Sequence, residues 1–144
     1  MAMKTTIFDL IRQAELLNNE TMLYFLKNFN RNIGISQILV LAELREKGPQ
    51  MQSVLAKKLG YTPGGMTSIA NKLIQEGYAE RQYDETDRRV VRILITEKGL
   101  NILADAQKEG QTMWQELYSV LTDEEIQHMI TIQKKLFEHI VKDQ

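Results

Sequence analysis

Cysteine is absent from this chain, which excludes disulfide scaffolding, thiol-based redox sensing and cysteine-ligated zinc together. Histidine is nearly absent as well. His128 and His139 lie eleven residues apart on one expected helix, or about 16 Å at 1.5 Å per residue, so one metal ion cannot bridge them within a chain. With no other histidine, a histidine-based catalytic triad has little to work with. No glycine pattern of the Walker or dinucleotide-binding type occurs, so no enzyme activity, metal or cofactor is expected. No apolar run approaches the roughly 18 residues of a membrane span. The opening MAMKTTIFDLIRQAE lacks the apolar core and small-residue cleavage pattern of a signal peptide, so a cytoplasmic location without membrane contact is expected.

An excess of either charge is also missing, with 18 Lys and Arg against 19 Asp and Glu. The distribution is less even than the total. Residues 44–98 hold ten basic and seven acidic residues, whereas 99–144 hold four and eight. A mildly basic middle and an acidic tail suit one surface that faces an anion.

What is present is a clear order of elements within 144 residues, enough for one hydrophobic core. Apolar residues at three- and four-residue steps (Ile7, Leu10, Ile11, Ala14, Leu17, then Met22, Phe25, Leu26, Phe29) predict a long helix over 5–31. Ser36 is the expected N-cap of a second helix, with Ile38, Leu41 and Leu44 inward, stopped by Gly48-Pro49. A short helix over about 52–59 buries Val54, Leu55, Ala56 and Leu59. Thr62 and Pro63 then open another, over 63–77, on Met66, Ile69, Ala70 and Leu73.

The period next changes to two. YAERQYD and VVRILIT flank the turn-like DETDRR and predict a hairpin. Thr96 caps a helix from about 97 to 119 on Leu100, Leu103, Ala106, Met113 and Leu117. A T-x-x-E capping box at Thr122 and Glu125, with Leu121 and Ile126 as its hydrophobic staple, opens the last helix. The fold class expected is mainly α (α+β): a winged helix-turn-helix over 35–99, with long helical regions over 1–34 and 100–144. Those flanking helices are apolar enough that part of their stripe is expected to bury against a second copy.

Three groups of side chains are candidates for function. With its apolar set inward, the 63–77 helix turns Gly64, Gly65, Thr67, Ser68, Asn71, Lys72 and Gln75 outward. A helix so small and polar at its start can lie in a major groove, and the glycines allow close backbone approach. The alternative is a plain solvated face. The turn holds Asp87, Arg88 and Arg89. An arginine at a wing tip can enter a narrow minor groove, with Asp87 orienting it. Phosphate contacts from Arg88, Arg92 or Lys72 would add affinity without sequence information. The third group is aromatic: Tyr24, Phe25 and Phe29 early in the chain, Trp114 and Tyr118 late. They could line a small-molecule pocket or simply pack a core.

The stretch from Ile35 to Gly99, ISQILVLAEL and then SVLAKKLGYTPGGMTSIANKLIQEGYAERQYDETDRRVVRILITEKG, with its D-x-R at Asp87 and Arg89 and its ending at Ile95, Thr96 and Gly99, resembles the MarR (multiple antibiotic resistance regulator) family of bacterial transcription factors. The flanking long helices match in order and length. The resemblance implies a homodimeric winged helix-turn-helix protein on pseudo-palindromic double-stranded DNA, most often a repressor released by a small-molecule effector. It also implies that Arg89 is the minor-groove arginine and Asp87 its support. Gly64, Gly65, Thr67 and Ser68 would take the base-facing start of the recognition helix, and Gln52 and Ser53 would sit near a phosphate. Two positions depart from the family pattern. Gly64 and Gly65 stand where serine or threonine is common, and Met51 replaces a hydroxyl residue, so the cap of the third helix must come from elsewhere. A different class of function would be a winged-helix protein-interaction module without sequence-specific DNA binding.

Overall fold

The computed structural model describes residues 2–144, with side chains from Thr6 onward. The order is α1 (Ala2–Asn28), α2 (Ile35–Lys47), β1 (Gln50–Met51), α3 (Gln52–Leu59), α4 (Pro63–Gln75), β2 (Ala79–Tyr83), β3 (Val91–Ile95), α5 (Glu97–Tyr118) and α6 (Asp123–Lys142). These residues divide into two compact units, one ending at Glu109 and one spanning 110–144.

The core of the first unit is built where the helical stripes and the hairpin converge. Val40, Leu41 and Leu44 of α2, Leu55 of α3, Met66, Ala70 and Leu73 of α4, Ile93 of β3, and Ile102 and Leu103 of α5 are all buried. Each such large apolar side chain contributes about 1.5–3 kcal/mol relative to exposure, so this cluster fixes how α3 and α4 are held. Lys58 of α3 also reaches Glu43 of α2 at 2.6 Å. Gly60 joins α3 to α4 in the left-handed conformation (φ 76°, ψ 24°), which glycine adopts without steric cost and which makes the turn of the helix-turn-helix sharp. The Thr62 hydroxyl then accepts from the Gly65 amide at 3.0 Å, as its N-cap position predicts.

The sheet has three strands in the order β1-β3-β2, all antiparallel. β2 pairs with β3 from Ala79 opposite Ile95 to Tyr83 opposite Val91. β1 pairs Gln50 with Ile93 and Met51 with Arg92. The hairpin is therefore as expected, and the two-residue third strand is an addition to it. Where the hairpin ends, Thr96 donates to the Gly77 carbonyl (2.6 Å) and accepts from the Gly99 amide (3.1 Å). Gly99 lies so close to the start of β2 that a Cβ there would stand 2.1 Å from the Tyr78 carbonyl oxygen. The Thr96–Gly99 spacing is thus a packing requirement at the foot of the wing.

Three local expectations need correction. The N-cap of α2 is Gly34, not Ser36: the Gln37 side chain accepts from the Gly34 amide at 2.8 Å, so no hydroxyl is needed. Val54 is about half exposed, because the buried arc of α3 falls on Leu55 and Ala56. α3 starts at Met51 without any side-chain cap; the chain passes straight from β1 into the helix.

In the second unit the capping box of α6 is present in both directions. The Thr122 amide donates to Glu125 Oε1 (3.0 Å) and the Glu125 amide to the Thr122 hydroxyl (3.2 Å). The Thr122 amide, and after it the Thr122 hydroxyl, hold the Glu125 carboxyl below its usual range. Leu121 and Ile126 line one small apolar groove with Tyr118, Met129 and Ile130, consistent with the expected staple. α6 buries none of its own residues, and Ile132, Leu136, Phe137, Ile140 and Val141 are exposed along it. Much of α1 is similar, with Ile7, Phe8, Leu10, Ile11 and Leu17 exposed.

Candidate nucleic-acid interface

The wing is a folded turn rather than a loose loop, and Asp84 organises it. Its Oδ2 accepts from the Thr86 amide (3.2 Å), the Thr86 hydroxyl (2.7 Å) and the Asp87 amide (3.0 Å). Its Oδ1 accepts from Arg92 Nη1 at 3.1 Å, at the turn end of the hairpin. These donors, the Thr86 hydroxyl first, lower the Asp84 pKa to about 2 from an ordinary 3.8. Two backbone bonds, Asp84 N–H to the Val90 carbonyl and Val90 N–H to the Asp87 carbonyl, both 3.0 Å, close the tip.

On this frame Asp87 grips Arg89. Oδ1 accepts from Nε (3.0 Å) and from the Arg89 amide (3.1 Å), and Oδ2 accepts from Nη2 (3.1 Å). A bidentate pair fixes the plane of the guanidinium as well as its position. The same contacts lower the Asp87 pKa, the Arg89 side chain contributing most. The Arg89 side chain is 91% exposed, so its outward edge is available to an external acceptor. Arg88 makes no side-chain bond among the described residues. The sequence expectation of one oriented and one free arginine matches this geometry.

The outward face of α4 carries all its expected residues: Gly64, Gly65, Thr67, Ser68, Asn71 and Lys72 are exposed. Nothing stands within 4 Å of where a Gly64 Cβ would be, so that position presents open backbone. Gln52, at the start of α3, donates through Nε2 to the Thr67 hydroxyl at 2.6 Å, tying the two helices together. Ser53 and Lys57, neither with a side-chain bond among the described residues, lie beside it on a shallow groove with Tyr61 and Thr67. Lys72 is likewise unpaired among the described residues. Arg92 sits on the central strand, held by Asp84 rather than standing clear.

Two residues of this surface escape sequence reasoning. Asp84 reads as one more charge in a turn, although an Asp two residues before a Thr is a recognisable side-chain turn signal. Arg81 of β2 donates through Nη2 to Asn71 Oδ1 at 2.8 Å, and nothing local in the sequence marks a contact between a strand and the preceding helix.

The aromatic candidates form two stacks. Phe25 and Phe29 stack at 5.4 Å in the first unit, where Phe29 belongs to the core. Trp114 and Tyr118 stack at 5.3 Å in the second, with Tyr118 on the groove beside Leu121. Tyr24 is exposed on α1, and its carbonyl accepts from Asn28 Nδ2. Among the described residues no cluster of acidic, histidine or cysteine ligands suits a metal ion, and no helix is long and apolar enough to cross a membrane.

A helix-turn-helix backed by a wing that presents an aspartate-held arginine agrees with what comparison with known proteins finds. The model of the MarR family matches residues 33–91. The HTH-type transcriptional regulator MhqR of Bacillus subtilis is 32% identical over 70% of this chain and 70% of its own length. The HTH-type transcriptional regulator PapX of Escherichia coli is 28% identical over 90% of this chain and 78% of its own. Among solved structures, a mutant MarR from E. coli complexed with operator DNA superimposes with a TM-score of 0.74 at 26% identity, covering 90% of this chain and 94% of that one. A MarR family protein from Bacillus stearothermophilus reaches 0.81 at 23% identity, covering 96% and 97%, which speaks for the fold. The chain belongs to the MarR family of transcriptional regulators.

Proposed function

We propose that this protein is a sequence-specific DNA-binding regulator that acts as a homodimeric repressor on a pseudo-palindromic operator in the cytoplasm. In this reading residues 35–99 contact DNA, and 1–34 with 100–144 hold two copies together. The observation that carries it is the Asp87–Arg89 pair: an exposed guanidinium held in plane at a wing tip, behind a helix whose Ser68 and Lys72 have no partner among the described residues. Arg89 enters the minor groove, α4 lies in the adjacent major groove, and Arg88, Lys57, Lys72 and the head of α3 at Gln52 and Ser53 face phosphates. Because the net charge is −1, attraction to DNA comes from this one surface rather than from the molecule as a whole.

The relative named as the transcriptional repressor MprA of E. coli, 27% identical over 89% of this chain, supports the repressive sign. The exposed apolar faces of α1 and α6 support the dimer, since a water-facing row of Leu, Ile and Phe is ordinarily an interface. Release by a small-molecule effector completes the reading, with Tyr24, Phe25, Phe29, Trp114 and Tyr118 as the residues assigned to it. Substituting Tyr24 or Trp114 then alters the response to effector and leaves DNA binding intact; loss of folding instead would mark them as packing residues.

The test of the whole is selection of bound sequences from random DNA by the purified chain. The reading requires enrichment of a two-fold symmetric motif, and recovery of no motif contradicts it.

A further inference from the structure

The outward face of α4 consists of two rows that the structure treats differently. Gly64, Ser68 and Lys72 follow one another at four-residue steps; Gly64 has no side chain, and Ser68 and Lys72 make no side-chain bond among the described residues. Thr67 and Asn71, on the neighbouring row, are both tied to flanking elements. The Thr67 hydroxyl donates to the Pro63 carbonyl (2.9 Å) and accepts from Gln52 (2.6 Å). Asn71 is held from the other side by Arg81, at 2.8 Å.

The chemistry of the Arg81 contact fixes which way the Asn71 amide points. A guanidinium has only donors, so the atom facing it is the amide oxygen, and the Nδ2 hydrogens face elsewhere. The placement of Arg81 is dictated by the strand. It shares a face of β2 with the buried Ala79 and lies opposite the buried Ile93, so it sits on the side of the sheet that packs toward the core, from which it reaches Asn71. An asparagine that reads adenine uses both ends of its amide: Oδ1 accepts from N6 while Nδ2 donates to N7. Here Arg81 takes one lone pair of Oδ1, and its positive charge opposes an amino group brought against the other. The pair is therefore biased toward donation, which matches the two acceptors on the major-groove edge of guanine and disfavours the amino group of adenine or cytosine.

Resting on the DNA-binding reading above, we propose that Arg81 is a specificity-determining residue: by holding Asn71 Oδ1 it turns Asn71 toward donation and so favours guanine over adenine at the base pair it faces. Arg81 acts through Asn71 as a positioning residue and makes no base contact itself.

The experiment is parallel selection from random DNA with the full chain, its Arg81→Met and Asn71→Ala variants, and the double variant. Circular dichroism of each checks that the fold is retained. Arg81→Met keeps the apolar stem and removes the donors. It shifts one position in each half-site from guanine toward adenine, with a swing in relative affinity of about tenfold, the size of one good bidentate contact. All other positions keep their preferences. Arg81→Lys, which restores a donor and its charge, retains part of the guanine preference. In the Asn71→Ala background, Arg81→Met leaves the motif unchanged. A wild-type motif that Arg81→Met does not alter overturns this inference alone. So does a shift that persists without Asn71, because Arg81 would then read the base directly. A wild-type chain that enriches no motif overturns the DNA-binding reading and this inference with it.

Discussion

The winged helix and the two long helices α1 and α6 dispose of their surfaces in opposite ways. Between α2 and the start of α5 the apolar side chains converge on one buried core, with Leu39, Met51, Val54 and Tyr83 the large ones left exposed, and several polar ones are cross-linked: Gln52 to Thr67, Arg81 to Asn71, Asp84 to Arg92, Asp87 to Arg89. α6 buries nothing and exposes Phe137 at 67% and Leu136 at 59%; α1 exposes Phe8 and Leu10 to a similar degree. The first region builds its core within one chain, and most of what it turns to solvent is charge and small polar groups, with a few scattered apolar side chains. The second is incomplete within one chain, and what it leaves unpaired is oil. That contrast is the physical basis for assigning DNA to one region and a second copy of the chain to the other.

The contrast can be broken at several points. The largest expected effect is on the self-sufficient region. Gly99→Ala drives a methyl group into the Tyr78 carbonyl, and urea unfolding should show a loss of about 3 kcal/mol or more. Tolerance of alanine there would mean that α5 does not need to pack so close to the wing. Next comes Phe137→Glu on α6, which places a charge on the face assigned to the dimer. Sedimentation should show dissociation, with dimerisation weakened by about 2 kcal/mol as for an interface hot spot, and helicity retained. An unchanged mass removes α6 from the interface.

Arg89→Ala should lower DNA affinity about tenfold and make the log K against log salt slope shallower by about one, without moving the thermal midpoint. Its failure to weaken binding would take the wing out of the DNA contact. The smallest effect sharpens the picture of the wing. The Asp84 carboxyl has its pKa lowered to about 2 from 3.8, so the stability it contributes is present above pH 4 and lost as pH falls through 2. Amide exchange at the wing tip should therefore differ between wild type and Asp84→Asn at neutral pH, and the difference should close as pH is lowered toward 2.

How much of this was legible in the sequence depends on range. The α6 capping box, the Thr62 cap and the Asp87–Arg89 pair join residues two or three apart, and short patterns announce them. The helical stripes were legible because periodicity reports a buried face, although it misplaced Val54, for which the neighbouring Leu55 and Ala56 take the core. Contacts across ten or fifteen residues were not legible. β1 is a strand only because Arg92 and Ile93 pair with it, and Arg81 holds Asn71 only because β2 packs beside α4. Such contacts depend on tertiary placement, and no local propensity carries them.

The central claim is that two copies, joined through their apolar helices, present two winged helices to one face of DNA. Hydroxyl-radical footprinting on the selected duplex tests it most directly. Two protected clusters related by two-fold symmetry, about one helical turn apart and on the same face, are expected. A single protected patch, with one chain bound per duplex, would contradict it.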